Sequence, residues 1–407
     1  MTKLDQKLNQ NLNYGACDAD QHYYETRDCF DRHIEPKYRD LAIRCVKAND
    51  GSDMLMAGDK PFTFLTELNF DSVVQPGTLK DMLSGLSADH KMDDTVRKEV
   101  TAENINRDAR LKEMDNLGLE LILNFPSMAV CVEHLMKDNI PQLYANMKSY
   151  NTWLNEDWGF NYKNRIIAPP LLSLEDPVMA VAELDRVLGL GTKAIAMKAG
   201  PVFNGGKGRS PFDPIYDTFW AMLNEAKVPV LFHIGESGYN ELCSVHWGEQ
   251  SNPSAYNQSG FQWSCYYGDR PIMEMVAASI MHNLFGRFPN VKMLAVENGS
   301  GWVPYILNQM DRMKGMARGD TWIGGRPKGK PSDIFKTNWF VQPFENEPVE
   351  ELISLIGIDH VLFGSDYPHS EGLANPTDFV NSLPNLSAAD KKKVMRENLL
   401  SLLNIAL

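Results

Sequence analysis

Short apolar runs rich in β-branched and aromatic residues recur along the chain, most of them followed by an amphipathic stretch of helical period. That alternation constrains the fold more than any other feature. Eight runs are legible, at 14–20, 119–124, 165–171, 192–198, 228–233, 291–297, 338–341 and 360–366. Helical stretches fall between them at 104–117, 177–188, 214–225, 271–288, 302–316 and 348–356, several opening on a proline that suits a first helical turn. Eight strands with intervening helices predict an α/β fold, a (β/α)8 TIM barrel. A doubly wound open sheet that binds nucleotides would carry a glycine-rich loop directly after its first strand. The glycine cluster Gly205–Gly208 follows the fourth strand and lacks the phosphate-cradling spacings.

The chain has 407 residues, more than a minimal barrel needs. The excess falls in two insertions, 46–100 after the first strand and 234–270 after the fifth. Loops at the C-terminal ends of barrel strands build the pocket, so both insertions are expected to be active-site lids. Residues 1–13 read as a polar arm and 14–407 as a single barrel domain.

A hydrophobic share of 43% excludes a disordered chain, and a net charge of −13 disfavours nucleic acid and anionic membranes as partners. The polar N-terminus has no signal-peptide core, and no run approaches the ~20 apolar residues of a membrane span, so a cytoplasmic protein is expected. Six cysteines without a C-x-x-C pair predict neither a disulfide framework nor a thiolate zinc site. The fifth-strand insertion concentrates Tyr239, Trp247, Tyr256, Phe261, Trp263, Tyr266 and Tyr267. These aromatics suit a packed lid, the interface of a homodimer, or a surface for a flat small-molecule substrate, with Trp247 and Trp263 as candidate contacts.

The chemistry-bearing residues sit at strand ends. The first strand runs into Asp18, Asp20 and His22, which a two-residue period places on one face. The fifth delivers His233 just before Gly235, and the eighth delivers Asp366 before Tyr367-Pro368. Asp20, His22, His233 and Asp366 converge on one rim as two imidazoles and two carboxylates. That set suits one divalent ion, zinc first and manganese or iron next, better than the oxygen cages of calcium or magnesium. Glu297 ends the sixth strand and is placed to transfer a proton or orient substrate, and His369 is placed to shuttle one. Arg209, in the loop after the fourth strand, is a candidate for a substrate carboxylate, Glu25 for supporting the first-strand ligands, and His282 for a structural role in a helix.

The segments DADQHYYE (18–25), VPVLFHIGESGY (228–239), RFPNVKMLAVENGSGWVPYIL (287–307) and VLFGSDYPHSEG (361–372) resemble the amidohydrolase-related family of the amidohydrolase superfamily. That family includes aminocarboxymuconate-semialdehyde and γ-resorcylate-type decarboxylases, C–C hydrolases and hydratases. The resemblance runs from Gly15 to Leu403 and implies a TIM barrel with one metal at Asp20, His22, His233 and Asp366. Two departures stand out. The first motif is Asp-x-His where many relatives have His-x-His, and Glu297 stands where the decarboxylases carry a catalytic histidine. Lys198 ends the fourth strand, where some superfamily members carry a metal-bridging carboxylated lysine; the resemblance is to the one-metal branch and implies no such role.

Because a carboxylate cannot donate a proton as an imidazolium does, Glu297 favours a metal-dependent hydrolase, with Asp366 taking the proton of a metal-activated water. The alternative is a nonoxidative decarboxylase of an aromatic or muconate-type acid. A third reading, an inactive barrel used as a binding protein, is disfavoured by the intact ligand set.

Overall fold

Small and apolar residues interleaved with Asp18, Asp20 and His22 suit a barrel strand that leads into a site. In the computed structural model, which describes residues 12–406 apart from 50, 66, 67, 69, 80–96, 204, 318, 320 and 321, this run forms β1 (Ala16–Tyr23), buried throughout. Parallel to it lies β2 (Leu119–Pro126), with His22 opposite Phe125. The third strand, β3, is two short pieces, Ile166–Ile167 and Leu171–Leu172. Pro169 and Pro170 separate them, because proline offers no N–H to a ladder. The first piece pairs with β2 and the second with β4 (Ile195–Met197). Next come β5 (Val230–His233), β6 (Met293–Val296) and β7 (Trp339–Val341), all parallel, with His233 opposite Val296.

Residues 361–367, here β8, close the circuit. Val361 bridges to Val341 of β7 and Tyr367 to Gln21 of β1. Ala19 N–H donates to Phe363 O at 2.9 Å and Asp366 N–H to Asp20 O at 2.8 Å. The fold is therefore the TIM barrel that the alternation predicts.

The connecting helices are α1 (Arg107–Leu117), α2 (Ile140–Asp157), α3 (Pro177–Gly189), α4 (Asp217–Ala226), α5 (Asp269–Met281), α6 (Val303–Met316), α7 (Pro331–Asn338) and α8 (Val349–Ile356). Local chemistry sets their ends. Asn106 caps α1 through the N–H groups of Asp108 and Ala109, and Gly118 ends it at φ 73°. Asp176 caps α3 ahead of Pro177. The helix expected over 271–288 is two, because Asn283 takes a left-handed φ of 56° between α5 and the turn Leu284–Arg287. Buried aromatics such as Trp220 of α4 and Trp339 of β7 fill the layer between barrel and helices. Their indole N–H groups donate to Pro211 O and Ser279 Oγ, and each buried ring contributes roughly 1.5–3 kcal/mol.

An antiparallel hairpin, Ile43–Lys47 with Asp53–Ala57, leads into the first insertion, which also holds a second pair, Ser72–Val74 with Arg97–Glu99. Ala255 N–H of the fifth-strand insertion donates to Phe64 O at 2.7 Å, and Leu79 N–H donates to Ser370 O beyond β8 at 2.9 Å. The described parts of the first insertion thus touch both the other insertion and the loop after β8. All six cysteines are free, and among the described residues no helix is long and apolar enough to cross a membrane.

Candidate metal centre

Ligand atoms of Asp20 and His22 from β1, His233 from β5 and Glu297 after β6 lie within 4.8 Å of one another, and Asp366 of β8 joins this cluster through His22. His22 Nε2 of β1 lies 3.1 Å from His233 Nε2 of β5, 3.5 Å from Asp20 Oδ1 and 3.3 Å from Asp366 Oδ1. His233 Nε2 lies 3.5 Å from Asp20 Oδ1. Glu297, just beyond β6, brings Oε2 to 3.0 Å from His233 Nε2 and 3.9 Å from His22 Nε2. His233 donates its Nδ1 proton to Ile234 O at 2.7 Å, which leaves Nε2 with a lone pair for an ion. Both oxygens of Asp20 and Oδ2 of Asp366 are buried without a hydrogen-bond partner. Buried carboxylate oxygens without donors are costly, and a divalent cation among the two imidazoles and these carboxylates satisfies those of Asp20. The residues present fit a metal.

The electrostatics point the same way. Burial pushes Asp20 upward, but His22 and His233 beside it outweigh that and hold it at about 2. Burial, with the neighbouring charges of Glu297, Glu371 and Asp20, drives Asp366 well above the carboxylate range, and burial also raises Glu297. Burial and the nearby His369 drive His22 well below the usual imidazole range. On His233 burial acts downward too, but the adjacent carboxylates of Asp20 and Glu297 carry it well above. So many acids at one buried point repel one another, and a cation at their centre relieves that repulsion.

Backbone geometry aims two of these side chains. Glu297 and Asp366 both adopt left-handed φ, 55° and 56°. Such a conformation costs a non-glycine residue roughly 1–2 kcal/mol and is held by its surroundings. For Glu297 the hold is Gln342, whose Oε1 accepts the Glu297 N–H at 2.6 Å while its Nε2 donates to Pro343 O and Gly364 O. His369 Nδ1 lies 2.8 Å from Asp366 Oδ1, its Nε2 lies 2.9 Å from Ser127 Oγ, and its ring stacks on His22 at 3.9 Å.

The strand-end residues Asp20, His22, His233, Glu297, Asp366 and His369 are thus brought together. Others expected near the site are not. A register shift between Asp18 and Gln21 breaks the alternation of β1. Asp18 therefore turns to Ser365 N and Oγ and to Gln21 Nε2, bracing β8 rather than facing the cluster. Glu25 accepts the N–H groups of Met128 and Ala129, so it supports the loop after β2. Arg209 pairs with Asp213 at 2.9 Å, four residues along the same loop. Trp247 is 72% exposed against Phe261, and Trp263 is 43% exposed against Tyr267. The Tyr256 side chain lies outside the described residues. His282 has the structural role expected, with Nδ1 2.7 Å from Ser210 Oγ.

Sequence reasoning missed Gln342 and Ser127. Gln342 directly follows the WFV run, so the strand-end rule could have found it; Ser127 carries no charge or periodic signal.

The amidohydrolase family model matches residues 102–405. No curated protein matches the chain. A solved amidohydrolase from Mycobacterium avium subsp. paratuberculosis K-10 is 34% identical, with 96% of this chain and 100% of that one covered and a TM-score of 0.85. A 2,6-dihydroxybenzoate decarboxylase solved with 2,6-dihydroxybenzoate is 17% identical over 96% of this chain and 100% of its own, with a TM-score of 0.62. A dihydroxybenzoic acid decarboxylase from Polaromonas sp. JS666, solved with manganese and 2-nitroresorcinol, is 17% identical over 96% and 97%, with a TM-score of 0.61. The last two share the fold. By its family match and by a relative alike along nearly its whole length, the chain belongs to the amidohydrolase family, within the amidohydrolase superfamily.

Proposed function

We propose that the chain is a metal-dependent carboxy-lyase that releases CO₂ from a small aromatic or muconate-type acid, with Asp20, His22, His233 and Asp366 holding one divalent ion. The observation that carries this reading is Asp366. Its Oδ1 is engaged by His22 and His369, while its buried Oδ2 has no partner in the protein and is left to carry the proton the reaction needs. Decarboxylation needs a proton placed on the carbon that CO₂ leaves, and Asp366 is the acid that supplies it. His369, hydrogen-bonded between Asp366 and Ser127, fixes that carboxyl's orientation. Burial of Asp20 and His22 to 0% exposure keeps bulk water from competing for the proton. When bound, the ion supplies Lewis acidity to the substrate's oxygens.

The decarboxylases among the structural relatives support a lyase, and the manganese in one of them supports that ion. Glu297 adds a third carboxylate to the cluster, which shifts preference from zinc, favoured by the sequence, towards manganese. Glu297 also sustains a second reading, hydrolysis. With Oε2 3.0 Å from His233 Nε2 it is placed to take a proton from a water. The test offers manganese-loaded enzyme a panel of hydroxybenzoates, following CO₂, and a panel of esters, amides and vinylogous diketones, following product acids. CO₂ from a hydroxybenzoate, abolished by Asp366→Asn, is the expected result. Acid release from the second panel alone would overturn the lyase reading in favour of hydrolysis.

A further inference from the structure

The loop after β8 brings a further carboxylate to the metal centre. His369 N–H donates to Asp366 O at 2.9 Å, Gly372 N–H to His369 O at 3.2 Å and Leu373 N–H to Ser365 O at 2.9 Å, so the chain doubles back on Asp366. The fold-back is tight, because a Cβ at position 372 would run into the Asp366 carbonyl, and glycine stands there. One residue earlier, Glu371 is exposed. It offers a carboxylate oxygen within 4.8 Å of carboxylate oxygens of Glu297 and Asp366.

These three carboxylates lack cationic partners. Among the described residues no lysine or arginine comes within 4.0 Å of any of them; Glu297 faces His233 and His22, Asp366 faces His22 and His369 through Oδ1, and Glu371 accepts from Ser370 Oγ at 2.6 Å. Asp366 is 6% exposed, and its Oδ2 is buried with no partner. An ion held by Asp20, His22, His233 and Asp366 Oδ1 leaves that oxygen unsatisfied, which is unfavourable for a buried acceptor. Three carboxylates grouped together suit a hard divalent cation such as manganese or magnesium. The exposure of Glu371 gives such an ion a way in and room for the waters it keeps.

We propose that Glu297, Asp366 and Glu371 form a second, weaker divalent-cation site beside the first, and that filling it inhibits the enzyme, because the cation takes the oxygen that must carry the proton. The inhibitory role rests on the lyase reading above and adds control by excess metal to it. Manganese is the probe, added to protein already carrying one ion per chain and followed by paramagnetic resonance. A second ion should bind, at least ~10-fold more weakly than the first, since its ligands include no imidazole and one is exposed. At one manganese per chain the first site therefore fills alone. Shared carboxylates place two such ions about 3.5–4 Å apart, so the second should convert the signal of an isolated ion into that of a magnetically coupled pair. Glu371→Gln should weaken the second step by ~10-fold or more and leave the first unchanged. No second ion at manganese excess, a second ion without magnetic coupling, a Glu371→Gln protein that binds both as wild type does, or one that loses both together would each overturn the proposal. With a hydroxybenzoate, CO₂ release should fall as the second ion binds, and the fall should be absent from Glu371→Gln; a rate unchanged with both ions bound would overturn the inhibitory role. Failure of the lyase reading would look different: both ions would bind and couple, yet no CO₂ would appear at either occupancy.

Discussion

Asp366 is asked to do two things, to ligate through one oxygen and to deliver a proton through the other. Asp366→Asn keeps the shape and removes the acid. Turnover should fall by about 10²–10⁴-fold, the usual contribution of a general acid or base; near-normal turnover in a steady-state assay would move that role to His369. Gln342 acts one step back. Its Oε1 holds the Glu297 N–H in a left-handed turn, and Gln342→Ala leaves that turn without its partner. Because Glu297 Oε2 lies 3.0 Å from the ligand His233, manganese affinity, read by paramagnetic resonance titration, should weaken by roughly 10–100-fold, as is typical when the groups around metal ligands lose their support. A folded variant with unchanged affinity would mean that Glu297 needs no such support. The contrast explains what could be read from the sequence. Charged residues at strand ends announce themselves through a break in an apolar run, whereas neutral donors such as Gln342 and Ser127 are defined only by what they touch.

Most strands were legible because a barrel strand buried on both faces is a largely apolar run, and even the short run before Gln342 turned out to be β7. Spacing within a strand was less secure. Strict alternation put Asp18 beside Asp20 and His22, but the shift in the β1 register turned Asp18 towards Ser365. No local sequence signal marks that irregularity, which lies in the pairing of β1 with β2. Closure of β8 against β1 depends on Gly364. A Cβ there would lie 2.5 Å from Gln342 Cγ and 2.7 Å from Asp20 Cβ. Gly364→Ala should therefore destabilise the protein by about 1–3 kcal/mol in chemical denaturation, the usual cost of overpacking, and should lower metal content through Asp20. A variant as stable as wild type would show that β8 can move away from β1 at little cost.

Across the whole molecule, buried acids make stability depend on pH. Glu133 titrates near its ordinary 4.5 when unfolded and near 7 in the fold, where burial outweighs the opposing charge of Lys198. Between those values the folded protein keeps a proton that the unfolded chain gives up, so its contribution is fully present below pH 4.5 and is lost as pH rises through 7. Glu133→Gln removes this dependence. Its Tm should exceed that of wild type above pH 7 and converge with it near pH 4, and parallel curves across that range would assign the dependence to other groups. The claim on which the rest stands is that four residues from β1, β5 and β8 hold one divalent ion. Anomalous diffraction at the manganese edge from crystals of the manganese-loaded protein tests it most directly. One peak about 2.1–2.3 Å from ligand atoms of Asp20, His22, His233 and Asp366 is the predicted result; an empty centre, or a peak bound by other residues, would contradict it.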